Sequence, residues 1–199
     1  MMNNRFASNI TPEEIKSLPR SGFTGEITVV DDPGTVPEAV DMMRRYNVFG
    51  FDTETRPAFR KGVSFDVSLL QLAVSDRAFL FRLNKTGLTR ELRSILSDPG
   101  IIKAGVAIRD DITGLQKLGS FDPAGFVELQ EFVNDYGIES NGLRKLAAIV
   151  LGIHISKKEQ VSNWEKKMLT DSQLQYAATD AWACYKIYSQ LVNHSGEND

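Results

Sequence analysis

Apolar residues along this chain switch between two periods, and each switch marks an element. EITVVDD at 26–32 reads as a strand. From Pro33 to Tyr46, apolar Val36, Ala39, Val40 and Met43 fall at helical spacing. VFGFDTET at 48–55 predicts a strand that runs into polar residues. VSLLQLAV at 67–74 and AFLFRL at 78–83 predict two more strands, with Ser75-Asp76-Arg77 as a hairpin turn. LTRELRSILSD at 88–98 is helical, IIKAGVAI at 101–108 is a buried strand, and DDITGLQKLG at 110–119 is a helix stopped by Gly119. FVELQEFV at 126–133 predicts a short strand and an irregular segment, and NGLRKLAAIVLG at 141–152 a helix ending at Gly152. Residues 153–169 are polar and irregular. A long helix then runs from Thr170 to about Asn193, opened by the capping-box pair Thr170 and Gln173.

Ahead of the first strand, residues 1–24 carry Pro12, Pro19 and Gly22. They read as an N-terminal arm, loose or with one short helix capped by Thr11 and Glu14. No repeat, low-complexity tract or linker interrupts the rest, so residues 25–195 are expected to form one domain. A hairpin followed by helix–strand–helix units predicts an α/β fold, a central mixed β-sheet flanked by α-helices.

Composition changes this picture little. The chain is 42% hydrophobic and 25% charged, ordinary for a globular domain of its 199 residues. Cys184 is the only cysteine, so no intramolecular disulfide forms. No run resembles a signal-peptide core or a membrane span, and a cytoplasmic protein is expected. The net charge of −3 argues against a polyanionic ligand until cations are counted. Four carboxylates holding two divalent ions would bring it to −3 + 4 = +1.

Three constellations carry candidate chemistry. Asp52-Thr53-Glu54 follows an apolar strand, and residues two apart on a strand share a face. Two acids projecting together repel each other unless a cation lies between them, and hard divalent ions prefer carboxylate oxygens. The bland alternative is a solvated strand end. Asp110-Asp111 stand where a strand delivers acids to the sheet edge that binds ligands in open α/β folds, although an Asp before a helix is also an ordinary N-cap. Tyr176 and Asp180, four apart, share a face of the last helix. Ala177, Ala178 and Ala181 beside them leave room for close approach by another element or a ligand.

Taken in order, these motifs resemble the DEDD 3′-5′ exonuclease superfamily in its Tyr-bearing branch, the group of RNase D and the Werner-syndrome exonuclease domain. FGFDTET is similar to its first motif, KAGVAIRDDITGL to its second and LTDSQLQYAATDAWACYKIY to its third. SLLQLAV and the SNW before the last helix also resemble that family, and the likeness covers roughly residues 25–192. Its spacing, counted from Gly105 and back from Leu115, selects Asp111 rather than Asp110.

The resemblance implies an RNase H-like fold and hydrolysis of phosphodiester bonds at the 3′ end of DNA or RNA with two divalent ions, Mg²⁺ or Mn²⁺. It implies that Asp52 bridges both ions, that Glu54 and Asp180 complete the one holding the attacking water, and that Asp111 serves the other. Tyr176 would orient that water. The other branch places a His where this chain has Gln175, and neither His154 nor His194 replaces it.

For substrate contact, Trp164, Phe59 and Phe65 are candidates for stacking on a terminal base, with Trp164 first, and packing is the alternative. Arg56, Arg60 and Lys61 form a basic cluster just after the first acids and are candidates for phosphate contact. Arg144 with Lys145, Lys157 with Lys158, and Lys166 with Lys167 are further clusters, of a kind that usually forms solvated faces. The competing reading is a catalytically inactive nucleic-acid-binding or scaffold domain on the same fold. An acidic cleft that binds a basic protein, and a small-molecule phosphodiesterase, are further alternatives.

Overall fold

A computed structural model describes residues 6–60 and 62–195. Residues 1–5 of the expected arm and Lys61, one of the phosphate-contact candidates, lie outside the described residues.

The strands are β1 (Glu26–Val30), β2 (Val48–Thr55), β3 (Val67–Ala73), β4 (Arg77–Phe81), β5 (Ile102–Gly105) and β6 (Phe126–Glu128). They form one sheet in the order β1-β4-β3-β2-β5-β6. β2, β3 and β4 make the expected antiparallel meander, and β1, β5 and β6 each pair in parallel, so the sheet is mixed. β2 is therefore interior, paired with β5 over Val48–Gly50 and with β3 from Gly50 to Thr55.

Two layers of helices cover this sheet. On one face lie α2 (Val36–Met43), α4 (Arg90–Leu96) and α5 (Ile108–Leu118). Their Val40, Met43, Leu92, Ile95 and Leu115 pack with Phe49, Phe51, Leu70, Leu72 and Phe79 of the strands. A short helix not expected from the sequence, Leu83–Thr86 (α3), follows β4.

The opposite face is crossed by α8 (Asp171–Ser195), opened by the expected Thr170–Gln173 pairing. α8 lies almost directly on β2, and Gly50 is what allows it. A Cβ at Gly50 would stand 1.8 Å from the Ala181 carbonyl oxygen and 2.4 Å from the Tyr185 nitrogen. The fully buried Ala177, Ala178 and Ala181 provide the matching small surface on the helix.

The helix expected at 141–152 is α7 (Leu143–Leu146) continued by a wider turn to Leu151, and Gly152 stops it with φ 67°. Leu129–Phe132 is α6, where an irregular segment was expected.

Residues 8–24 do contain the short helix, α1 (Pro12–Ser17), with the full Thr11–Glu14 capping box. They are tied to the body at several points. Ile15 and Phe23 are buried, the Phe23 N–H donates to Thr179 Oγ1 at 3.1 Å, and the Ser21 N–H donates to the His154 carbonyl at 3.2 Å. No helix among the described residues is long and apolar enough to cross a membrane.

Candidate active site

The face of β2 that meets α8 carries Gly50, Asp52 and Glu54 in alternation. A register shift between Glu54 and Thr55 ends the regular pairing just past the second acid, the kind of bulge that aims a side chain at a site. Opposite, α8 presents Asp180 one turn beyond Tyr176. One ligand oxygen from each of Asp52, Glu54 and Asp180 lies within 4.8 Å of the others. Glu54 and Asp180 are only 9% and 7% exposed. The three acids line a concavity of about 310 Å³ together with Tyr176.

Electrostatics make this cluster unfavourable without counter-charge. Burial, followed by the charges of Asp180 and Asp111, raises the Asp52 carboxyl well above the usual range. Burial and the neighbouring acids Asp52, Asp180 and Asp111 push Glu54 up to about 10. Burial lifts Asp180 to about 7, against the lowering effect of a hydrogen bond from the Tyr176 hydroxyl. Burial and the same acids raise the Tyr176 phenol, keeping it protonated and able to donate.

The sign of the resulting pH dependence follows. Asp180 and Glu54 bind protons more tightly folded than at their ordinary values of 3.8 and 4.5. The stability they contribute is therefore complete below about pH 4 and is lost as pH rises through about 7 for Asp180 and about 10 for Glu54. In EDTA the melting temperature should fall between about pH 5 and about pH 9, and added Mg²⁺ should reverse the fall. A flat profile in EDTA would show that the acids do not strain the fold.

Asp111 stands outside the three-acid cluster, in the first turn of α5. Its Oδ1 accepts from Thr53 Oγ1 at 2.5 Å, and burial raises its pKa. Asp110 beside it is exposed, whereas Asp111 is half-buried.

Nothing local to α5 in the chain reveals what holds it. Its N-cap residue, Ala107, is left-handed at φ 58° and offers no side-chain cap. Glu128 at the end of β6 supplies one from across the sheet, accepting from the Ala107 and Ile108 N–H groups at 2.9 Å each. Glu128→Ala should cost about 1–2 kcal/mol in urea denaturation, the scale of a lost cap. It should also slow catalysis severalfold, because Asp111 rides on α5; unchanged stability and rate would remove the role.

Two substrate-contact expectations change. Trp164 is 0% exposed and packs with Leu69, Leu80 and Ala177, its ring 6.1 Å from that of Tyr176. It is a core residue and offers no ring face to a base. A lone aromatic amid Asn, Glu and Lys looks exposed in sequence, and the pocket that buries it comes from distant strands. Arg56 is paired with Glu165 at 3.1 Å and lies 4.7 Å over the Phe65 ring. Such an exposed pair is weak and leaves the guanidinium available to a stronger anion. Phe59 is 85% exposed. Gln175, at the position of the other branch's His, donates to the Phe23 carbonyl and so ties α8 to the N-terminal segment.

Comparison with known proteins agrees with this geometry. Residues 27–195 match the family model described as 3′-5′ exonuclease. The chain is 33% identical over 187 residues to the mouse bifunctional 3′-5′ exonuclease/ATP-dependent helicase WRN, covering 89% of the chain and 13% of that protein. It is 34% identical over 173 residues to exonuclease 3′-5′ domain-containing protein 2 of Drosophila melanogaster, covering 83% of the chain and 29% of that protein. The chain thus spans well under two thirds of the length of these relatives. Its fold is that of the Aedes aegypti Nibbler EXO domain, with TM-score 0.79, 24% identity and coverage of 90% of this chain and 94% of that one. The sheet order, the acids on β2 and α8 and the family match agree: the fold is RNase H-like, and this chain belongs to the DEDD-type 3′-5′ exonuclease family.

Proposed function

We propose that the chain removes nucleotides from the 3′ end of DNA or RNA by metal-dependent hydrolysis. The observation that carries this reading is the buried convergence of Asp52, Glu54 and Asp180 within 4.8 Å, with the Tyr176 hydroxyl on Asp180. Three acids raised by burial, Asp52 and Glu54 also by their acidic neighbours, are a donor set for a hard divalent cation, and all-oxygen ligation suits Mg²⁺ or Mn²⁺. Asp52, Glu54 and Asp180 would hold one ion, and Asp52 with Asp111 a second. When bound, such a pair supplies an activated water and charge stabilisation at the leaving oxygen.

The chain's own residues do the rest. Tyr176, protonated and beside Asp180 in the concavity, orients water there through its hydroxyl, whose lone pairs accept while its one proton is given to Asp180. Thr53 holds Asp111 in place, and Glu128 fixes the helix that carries it. α8 forms one wall of the concavity through Tyr176, Asp180 and Cys184.

Digestion of 3′-labelled and 5′-labelled DNA and RNA oligomers with Mg²⁺ or Mn²⁺ tests the reading. The 5′-labelled strands should shorten in a ladder, and EDTA should stop the reaction. Cutting that persists in chelator, or none on any substrate, would overturn it.

A further inference from the structure

Gln71 lies in the middle of β3 and is 0% exposed. Its register partner on β2 is Asp52, and its partner on β4 is Leu80. Residues directly opposed across an antiparallel pair point to the same face, with Cβ atoms ~4.5–5.5 Å apart. Leu69 and Ala73, two positions to either side of Gln71, lie beneath Ala177, Ala178 and Ala181 of α8. Gln71 therefore shares the α8 face of the sheet with the acids of β2.

Both ends of its amide are orphaned. Neither Nε2 nor Oε1 has a hydrogen-bond partner among the described residues, although both atoms are buried. A buried amide left unpaired is costly, and an apolar side chain of the same shape would fill the space without that cost. Packing alone therefore does not account for a glutamine here. Its neighbours on this face are Leu69, Ala73, Leu80 and Asp52, and of these only Asp52 has a polar side chain. Asp52 accepts the Thr53 N–H at Oδ1, 2.9 Å away, and an ionised carboxylate has about four acceptor sites, so room is left for a further donor. Trp164, packed on the same Leu69 and Leu80, has a buried indole N–H that is likewise without a partner, a donor complementary to Gln71 Oε1.

We propose that Gln71 is a positioning residue for Asp52, its Nε2–H donating to the Asp52 carboxylate and fixing its orientation when that carboxylate holds a cation. The inference rests on the metal-dependent reading above. Carboxylates that bind metal ions are themselves held by hydrogen bonds from residues behind them, and those bonds set the direction of the ligand oxygens. A neutral donor suits this place. An acid would add to the repulsion among Asp52, Glu54, Asp111 and Asp180, and a lysine or arginine would compete with the cation for Asp52. An amide does neither.

The test is a Mn²⁺ titration of wild type and Gln71→Met, followed by the electron paramagnetic resonance signal of free Mn²⁺, with no nucleic acid present. Affinity should fall roughly tenfold or more in the variant, the scale of a lost hydrogen bond behind a metal ligand. The melting temperature in EDTA should hold or rise, because methionine has a similar shape and leaves no buried amide unpaired. A glutamine that only supported the fold would give the reverse, a lower melting temperature with unchanged affinity. A second readout needs no substitution. In ¹⁵N-labelled wild type, the Gln71 side-chain NH₂ protons should shift and exchange more slowly with water on saturation with Mg²⁺. Wild-type Mn²⁺ affinity in Gln71→Met, or NH₂ protons unmoved by Mg²⁺, would overturn the positioning role while leaving the metal-dependent reading intact. A wild-type protein that binds neither ion would remove that reading and the role of Gln71 with it.

Discussion

Asp52→Asn should lower 3′-end hydrolysis by about 10³-fold or more, while Asp110→Asn leaves it within about twofold. Asp52 sits on interior strand β2 between Asp180 and Asp111 and is coupled to both by charge. Losing its second anionic oxygen removes a ligand from the centre of the cluster. Metal-supplied stabilisation is worth several kcal/mol, and about 4 kcal/mol corresponds to ~10³ in rate. Asp110 is exposed in the same turn as Asp111 and is not a member of the three-acid cluster. The Asp52→Asn substitution should stabilise the metal-free protein, because it removes a buried carboxyl whose ionisation is opposed by burial and by its acidic neighbours. Differential scanning calorimetry in EDTA should therefore show Asp52→Asn melting above wild type, and a lower melting point would mean that Asp52 mainly supports the fold. Asp110→Asn as damaging as Asp111→Asn would show that the wrong acid had been assigned to the site.

Tyr176→Phe is expected to reduce turnover ~10²-fold, the scale of a lost positioned catalytic group. The ring packs 6.1 Å from Trp164 and stays in place when only the hydroxyl is removed. What disappears is the group that donates to Asp180 and orients water in the concavity. Divalent-ion affinity, read by calorimetric titration, should remain near wild type because all four carboxylates persist. The melting temperature should move little for the same isosteric reason. Full activity would leave Tyr176 as a packing residue beside Trp164.

Much of this was legible along the chain because it is local. Strand alternation put Asp52 and Glu54 on one face, and the four-residue spacing aligned Tyr176 with Asp180. The strand expected over 101–108 is shorter because Ala107 turns left-handed and α5 starts at Ile108, two residues ahead of the acids. Neither period nor propensity reveals a left-handed alanine held by a carboxylate twenty-one positions away, so Glu128 went unnoticed. Lys103 sits in the same buried strand at 0% exposure, because its ammonium reaches the Ile95 and Asp98 carbonyls. The burial of Trp164 depends on tertiary neighbours, which a one-dimensional pattern does not contain.

The close seating of α8 on Gly50 has a consequence for the order in which the molecule comes into being. The acids of β2 leave the ribosome long before the helix that completes their site. At about 5–20 residues per second, roughly seven to thirty seconds separate the emergence of the two. Throughout that interval the nascent sheet has its Leu69, Leu80 and Ala73 face uncovered, and Asp52 and Glu54 lack their third ligand and their tyrosine. A half-made chain therefore exposes an apolar sheet face and an incomplete acid cluster. The three-acid cluster is completed in one step, when the last helix docks and brings Asp180.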